Sequence, residues 1–228
     1  EVRFMFLVIA VAVPVIAFSL VRGLSMTLGG GLRSSLFNVV SALSTTGFAT
    51  CSYANWPALA LGGMIVLMLI GGGIGSTAGG IKLIRIYLMF RYLGDYIFHQ
   101  VSNKRRVTQP RYQTVLGATP IDRKLIGNTV GFITCYLILF MIGTLAVTVT
   151  ANCSLTQAAF DFASSLGTVG LSIGITGPDT NNATLIIEML GMLLGRLEIF
   201  IVFVGCYSGF TRIKKAFKKR IPVKTSTL

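Results

Sequence analysis

FNVVSALSTTGFAT, residues 37–50, and FDFASSLGTVGLSI, residues 160–173, are two copies of one segment. An offset of 123 positions (37 to 160) places Phe37 on Phe160, Ser41 on Ser164, Leu43 on Leu166, Thr45 on Thr168 and Gly47 on Gly170 without a gap. Each copy lies between long apolar runs. Each is too short and too polar to cross a bilayer, which takes about 20 apolar residues. The segment reads as a short helix that dips into a membrane and ends in a Thr-x-Gly loop. Two matched copies within one 14-residue register argue against a Thr-x-Gly that merely caps a buried helix.

Composition sets the environment. The chain of 228 residues is 53% hydrophobic and 12% charged, whereas a soluble domain carries about 25% charge. This predicts an integral membrane protein. The chain lacks an initiator Met and a signal-like segment with a cleavage site, and reads as a portion of a longer one. The formal net charge is +13, but the charges flank apolar runs: nine Lys/Arg lie from Lys82 to Lys124 and seven from Arg212 to Lys224. The positive-inside rule makes both clusters cytoplasmic, and membrane orientation explains the charge without nucleic acid. The cysteines at 51, 135, 153 and 206 have no metal-ligand spacing. Cys135 and Cys206 fall in apolar helices; Cys51 and Cys153 should face outside, where a disulfide is chemically possible.

Along the chain, 4–21 is an apolar run long enough for one spanning helix, with Pro14 tolerable inside it. Gly29, Gly30 and Gly31 predict a turn. Trp56 and Pro57 open the next helix, with Trp56 at interface level and Pro57 in the first turn. That helix, 59–70, is too short to cross alone and meets GGGIGSTAGG at 71–80. Helix resumes at Ile81 and runs through Arg91, so this crossing is a broken helix, which survives only inside protein or beside a water-filled cavity. A polar, basic connector with His99, read as a solvated surface residue, leads to an apolar helix over 125–149. Ser154 and Gln157 have capping-box spacing, and Asp161 is placed in an early turn of the second short helix, where the dipole favours an anion. A last apolar helix runs from about Thr184 to Phe210 and a basic tail follows. The predicted domain organisation is a helix–pore loop–helix repeat over 1–91, a basic connector over 92–124, a second repeat over 125–211 and a tail over 212–228.

The chemistry follows from the loops. A dehydrated potassium ion needs a ring of oxygens in place of its hydration shell. Glycine tolerates the dihedrals that turn carbonyls toward an axis, and threonine offers a carbonyl and a hydroxyl. Thr45, Thr46 and Gly47, with Thr168, Val169 and Gly170, are therefore the candidate potassium-binding residues. The Gly-rich run also invites comparison with a phosphate-binding loop. Gly75 and Gly80 have the spacing, but Ile81 stands where lysine is required and no strand precedes the run. Arg196 lies about 18 Å into the last helix. Charge at that depth costs at least about 2.5 kcal/mol, so it should face a cavity or a partner: a position in the pathway below the loops, against the Gly-rich run, would raise the barrier to cations, and a structural ion pair is the alternative. Glu198, about 200° further round the helix, would bind a neighbouring helix as a structural ion pair. Gly191/Gly195 and Gly205/Gly209 are GxxxG pairs suited to close helix packing. No metal cluster and no histidine placed to activate a nucleophile suggests catalysis.

STTGFAT at 44–50, GGGIGSTAGGIKLIR at 71–85, LGTVGLSIGIT at 166–176 and GRLEIF at 195–200 resemble the Trk/Ktr potassium-uptake family. The likeness covers essentially the whole chain and is closer to the Trk branch. It implies an all-α integral membrane fold of potassium-channel-like architecture, in which one chain holds four helix–pore loop–helix repeats; this chain resembles the last two. It implies that 45–47 and 168–170 are filter segments with a single key glycine each. It implies that Gly71, Gly72, Gly73, Gly75, Ser76, Thr77, Gly79 and Gly80 form an intramembrane gate, with Arg196. The expected partners are membrane lipid, two further N-terminal repeats, a second copy of the protein and a cytosolic nucleotide-binding regulatory subunit. The expected cargo is potassium, with no organic cofactor, and the expected location is the plasma (cell inner) membrane. A cation-coupled solute transporter with a midplane site between broken helices and a non-conducting membrane subunit are the competing classes.

Overall fold

Apolar residues fill the first segment, which closes as α1 (Val2–Leu24) with Pro14 inside it. The computed structural model describes residues 2–101, 111–114, 117–120, 122–177, 180–196 and 208. Thr27 caps α2 (Leu28–Leu43), its hydroxyl accepting from the Gly30 N–H at 3.3 Å. Gly29, Gly30 and Gly31 therefore open a helix and do not form the expected turn. Packing gives the reason: a Cβ on Gly31 would stand 2.7 Å from Val21 Cγ2, so its absence lets α2 close on α1.

Pro57 is the N-cap of α3 (Ala58–Ile70), one position before the first turn where it was expected. Trp56 is buried within the protein. Its ring meets Tyr53 edge-on with centroids 4.8 Å apart, and Tyr53 in turn lies 5.0 Å from Phe160. After the loop 71–82 the chain resumes as α4 (Leu83–Val101). This helix starts two residues later than expected and continues past Arg91, taking His99 into it. Strands β1 (Arg111–Thr114) and β2 (Gly117–Pro120) pair antiparallel, Arg111 opposite Pro120. This short hairpin departs from an otherwise all-helical fold.

The second half repeats the first. α5 (Arg123–Ala151) ends on Asn152 in the left-handed region. α6 (Leu155–Leu166) begins with a full capping box between Ser154 and Gln157. α7 (Asn182–Arg196) follows. The rest of the expected last helix, with Glu198, Cys206, Gly205, Gly209 and the basic tail 212–228, lies outside the described residues, as does 102–110.

The helices pack as two similar trios, α1 with α2 and α3, and α5 with α6 and α7, and α3 joins them by packing on α6. On the far side the Arg85 guanidinium of α4 stands 3.9 Å over the Phe132 ring of α5, a cation–π contact between the halves. α1 and α5 are long and apolar enough to cross a membrane; only 22% and 33% of their apolar windows are buried, unlike the core helices of a soluble protein. Exposed Phe6, Leu7 and Val11 on α1 and Ile138, Met141 and Leu145 on α5 form the apolar outside. α6 is enclosed, with 160–166 all buried, whereas Leu32, Leu36, Phe37 and Val40 of α2 are exposed.

α5 meets α6 where the Phe162 ring lies over Gly143, leaving no room for a Cβ. Gly143→Ala should displace that ring and cost about 1–3 kcal/mol. A lowered Tm of the detergent-solubilised full-length protein is the expected result.

Candidate functional site

Both short helices stop in the same way. Ser44 and Gly167 are the equivalent C-caps, at φ −79° and −74°. The next residue, Thr45 or Thr168, is left-handed at φ 54° in both copies. Its N–H returns to the carbonyl three residues back: Thr45 to Ala42 at 3.2 Å, Thr168 to Ser165 at 3.1 Å. The residue after it reaches back five: Thr46 to Ser41 at 2.9 Å, Val169 to Ser164 at 2.8 Å. These two bonds make a Schellman motif, which usually places glycine at the left-handed position. A β-branched threonine there is a genuine outlier and costs on the order of 1–3 kcal/mol. Gly47 (φ 79°) and Gly170 (φ 94°) follow with a second positive φ.

The two loops also touch. A Cβ on Gly47 would collide with the Val169 carbonyl oxygen, so glycine is required for contact as well as for conformation. Gly170 has open space around it. Side chains of the preceding helix hold each loop from behind. Ser41 Oγ donates to the Phe48 carbonyl at 2.7 Å, while Ser164 Oγ accepts the Gly170 N–H at 3.0 Å.

One turn earlier stands a pair that sequence reasoning missed as functional, Asn38 and Asp161, related by the same offset. Asn38 Nδ2 donates to Thr50 Oγ1 at 3.1 Å, and Asn38 Oδ1 accepts from the Tyr53 hydroxyl at 2.7 Å. Burial, and after it the neighbouring Cys51, pushes the Tyr53 pKa up, which keeps that hydroxyl a donor. Asp161 lies in the middle of α6 and not in an early turn, so the helix dipole is not its role. Its carboxylate accepts the Ile173 N–H at 2.8 Å, the Ser172 hydroxyl at 2.9 Å and the Thr176 hydroxyl at 3.1 Å. The Thr176 Oγ1 also lies 3.0 Å from Glu188 Oε1 of α7. The signal available in the sequence was a polar residue at the same register position of both copies, 38 and 161.

Below the loops, the Gly-rich run forms a closed excursion. Ile81 and Lys82 donate their N–H groups to the Leu69 and Ile70 carbonyls at 2.9 and 2.8 Å, and Leu83 donates to Gly72 at 3.1 Å. Those donors satisfy the end of α3, which is why α4 cannot begin before Leu83. Gly71 and Gly80 cross at the base, both at positive φ. Ser76 Oγ donates to the Gly73 carbonyl at 2.6 Å, and Gly75 and Thr77 are exposed at the tip with Ser76. Gly79 lies against Gly167 and Thr168. Arg196 is exposed, next to Gly195, whose Cα presses on the Leu166 carbonyl, and Gly191 packs on Phe162. Cys51, Cys135 and Cys153 are free thiols, so the disulfide considered between Cys51 and Cys153 is not formed.

Two copies of an outer helix, a half-length helix with a Thr-x-Gly loop and an inner helix define an integral membrane protein of potassium-channel-like architecture. The chain belongs to the TrkH family, described as "Cation transport protein", which matches residues 1–208. It is 30% identical over 176 residues to the Trk system potassium uptake protein TrkH of Salmonella typhimurium, covering 76% of this chain and 35% of that protein. To the Trk system potassium uptake protein TrkG of Escherichia coli it is 29% identical over 222 residues, 92% of this chain and 42% of that one. The crystal structure of the potassium transporter TrkH from Vibrio parahaemolyticus matches with a TM-score of 0.73 at 26% identity, over 89% of this chain and 43% of that one. The chain thus spans less than half the length of the proteins it matches. These are transport proteins and not enzymes.

Asp161→Asn keeps the shape but turns amide hydrogens toward groups that donate. It should cost about 1–3 kcal/mol, read as a lower Tm of the full-length protein.

Proposed function

We propose that the chain is the C-terminal half of a potassium-uptake pore in the plasma (cell inner) membrane. The observation that carries this reading is the repeated backbone: a left-handed threonine at φ 54° followed by a positive-φ glycine, at matching positions of two copies. Local preference favours glycine at the first position, so threonine there is held against strain. Its oxygens are what an ion site gains in exchange. Carbonyls of Thr45, Thr46, Gly47, Thr168, Val169 and Gly170 would replace part of potassium's hydration shell. The α2 and α6 helices end immediately before these residues, and their negative ends favour a cation. Potassium is also named for the TrkH and TrkG relatives.

Two further observations support additional repeats completing a ring. Gly47 is covered by the Val169 carbonyl, while Gly170 faces open space where a further copy's carbonyl would stand in a ring. Likewise α3 covers α6, while the apolar face of α2 remains open, as if awaiting the inner helix of a preceding repeat. A groove of about 470 Å³ runs along that face and the adjoining loop, lined by Arg33, Leu36, Phe37, Val40 and Phe48 among others.

Gating belongs to the loop 71–80, whose closed base and exposed tip suit a hinged plug, and to Arg196, whose charge adds a barrier below the filter. Glu198 would pair with a neighbouring helix. The basic connector and tail would face the cytoplasm and dock a nucleotide-binding regulatory subunit, and the full-length protein would form a homodimer surrounded by lipid. Ions would pass down their electrochemical gradient.

Rubidium uptake by the full-length protein tests the filter. Gly170→Ser should lower the potassium preference, and Gly47→Ala should do more damage, because its Cβ meets the Val169 carbonyl. Unchanged affinity and ion preference in both would refute the assignment. Arg196→Ala should raise flux several-fold; flux equal to wild type would remove the barrier role.

A further inference from the structure

The Gly-rich loop and the fourth-repeat filter are joined by one directional bond. The Gly79 N–H donates to the Thr168 hydroxyl oxygen at 3.1 Å. The backbones meet closely there: a Cβ on Gly79 would stand 2.6 Å from both the Gly167 carbonyl oxygen and Thr168 Oγ1. The base of the loop is pinned by the bonds from Ile81 and Lys82 to α3. The loop therefore cannot withdraw at 79 without breaking the bond to Thr168. Thr45 shares the positive φ of Thr168, but Gly79 bonds Thr168 and not Thr45; near the first copy, a Cβ on Gly72 would be 3.8 Å from the Leu43 carbonyl oxygen. Two threonines with one conformation thus have different neighbours.

We propose that Thr168 couples the gate to the filter, its hydroxyl serving the loop while the loop is docked and the ion once the loop withdraws. The inference rests on the filter-and-gate reading above. Its sign follows from electrostatics. The Gly79 N–H engages one of the hydroxyl's two lone pairs and places positive charge beside the inner edge of the filter. A cation at that edge is disfavoured while the loop is docked. By linkage, a bound cation disfavours docking by the same factor. Potassium outside thus promotes withdrawal of the loop. Coupling between sites spans about 5–150-fold, and a single bond places this case near fivefold.

Ala78 is buried with the loop docked and supplies the reporter. The full-length protein carrying Ala78→Cys is reconstituted in vesicles. Labelling by a membrane-impermeant maleimide is read at the cytoplasmic face, with the Ala78 chain as blank for native cysteines. Replacing external sodium by potassium is expected to speed labelling about fivefold. Thr168→Val should give fast labelling in both ions, Thr168→Ser should restore the dependence, and Thr45→Val should keep it. Ion-independent labelling without the valine substitutions, or equal loss of the dependence in both valine variants, overturns the coupling. Potassium/sodium selectivity of rubidium flux, measured in the same vesicles, separates the two ideas. If Gly170→Ser and Gly47→Ala both leave selectivity unchanged, the filter reading fails and the coupling with it. If they alter it while labelling ignores the ion, the filter reading stands and the coupling alone falls.

Discussion

A helix that stops inside a bilayer leaves its last carbonyls without water, and the chain that follows must supply the donors. In both repeats the donors are the N–H groups of the two residues after the cap, and the chain can deliver them only by turning left-handed at the first. That turn sets the direction of everything after it. The loop is then propped from behind by Ser41 and Ser164, and its return limb is held by Asn38 and Asp161. The supports are side chains of the helix that has just ended, so each unit carries its own scaffold.

Around the fourth repeat, contact is made mostly by backbone. A Cβ on Gly167 would lie 2.6 Å from the Met68 carbonyl oxygen of α3, Gly195 of α7 presses on Leu166, and Gly79 presses on Gly167. Flexible side chains do not intervene, so there is little slack to absorb a displacement. Close-packed interiors transmit strain, and here α3, the loop and α7 converge on three consecutive residues. A motion of any of them reaches the Thr168–Gly170 loop directly.

What could be read from the sequence was local or periodic. The repeat at one offset, the capping box at Ser154 and Gln157, the long apolar helices and the break after Ile70 all depend on neighbours within a few residues. The misreadings have a common cause, which is tertiary packing. Gly29 to Gly31 looked like a turn because glycine disfavours helix in isolation, but Thr27 caps a helix there and Gly31 packs closely on Val21. Asp161 suggested a helix dipole, and its partners lie 11 to 15 positions away in the return limb. The bond from Gly79 to Thr168 spans 89 positions and has no local signature.

The two halves agree in backbone and differ in support. Their left-handed threonines have the same φ, yet Asn38 both donates and accepts where Asp161 only accepts, and Thr168 holds the loop while Thr45 does not. This division follows from what the two proposed tasks demand. An ion stripped of water requires equivalent oxygens from each side, so the backbone must repeat. A single plug beneath a near-symmetric ring cannot attach to every side equally, so something must break the symmetry. Placing the break in side chains leaves the backbone geometry intact, which lets one ring serve both selection and closure.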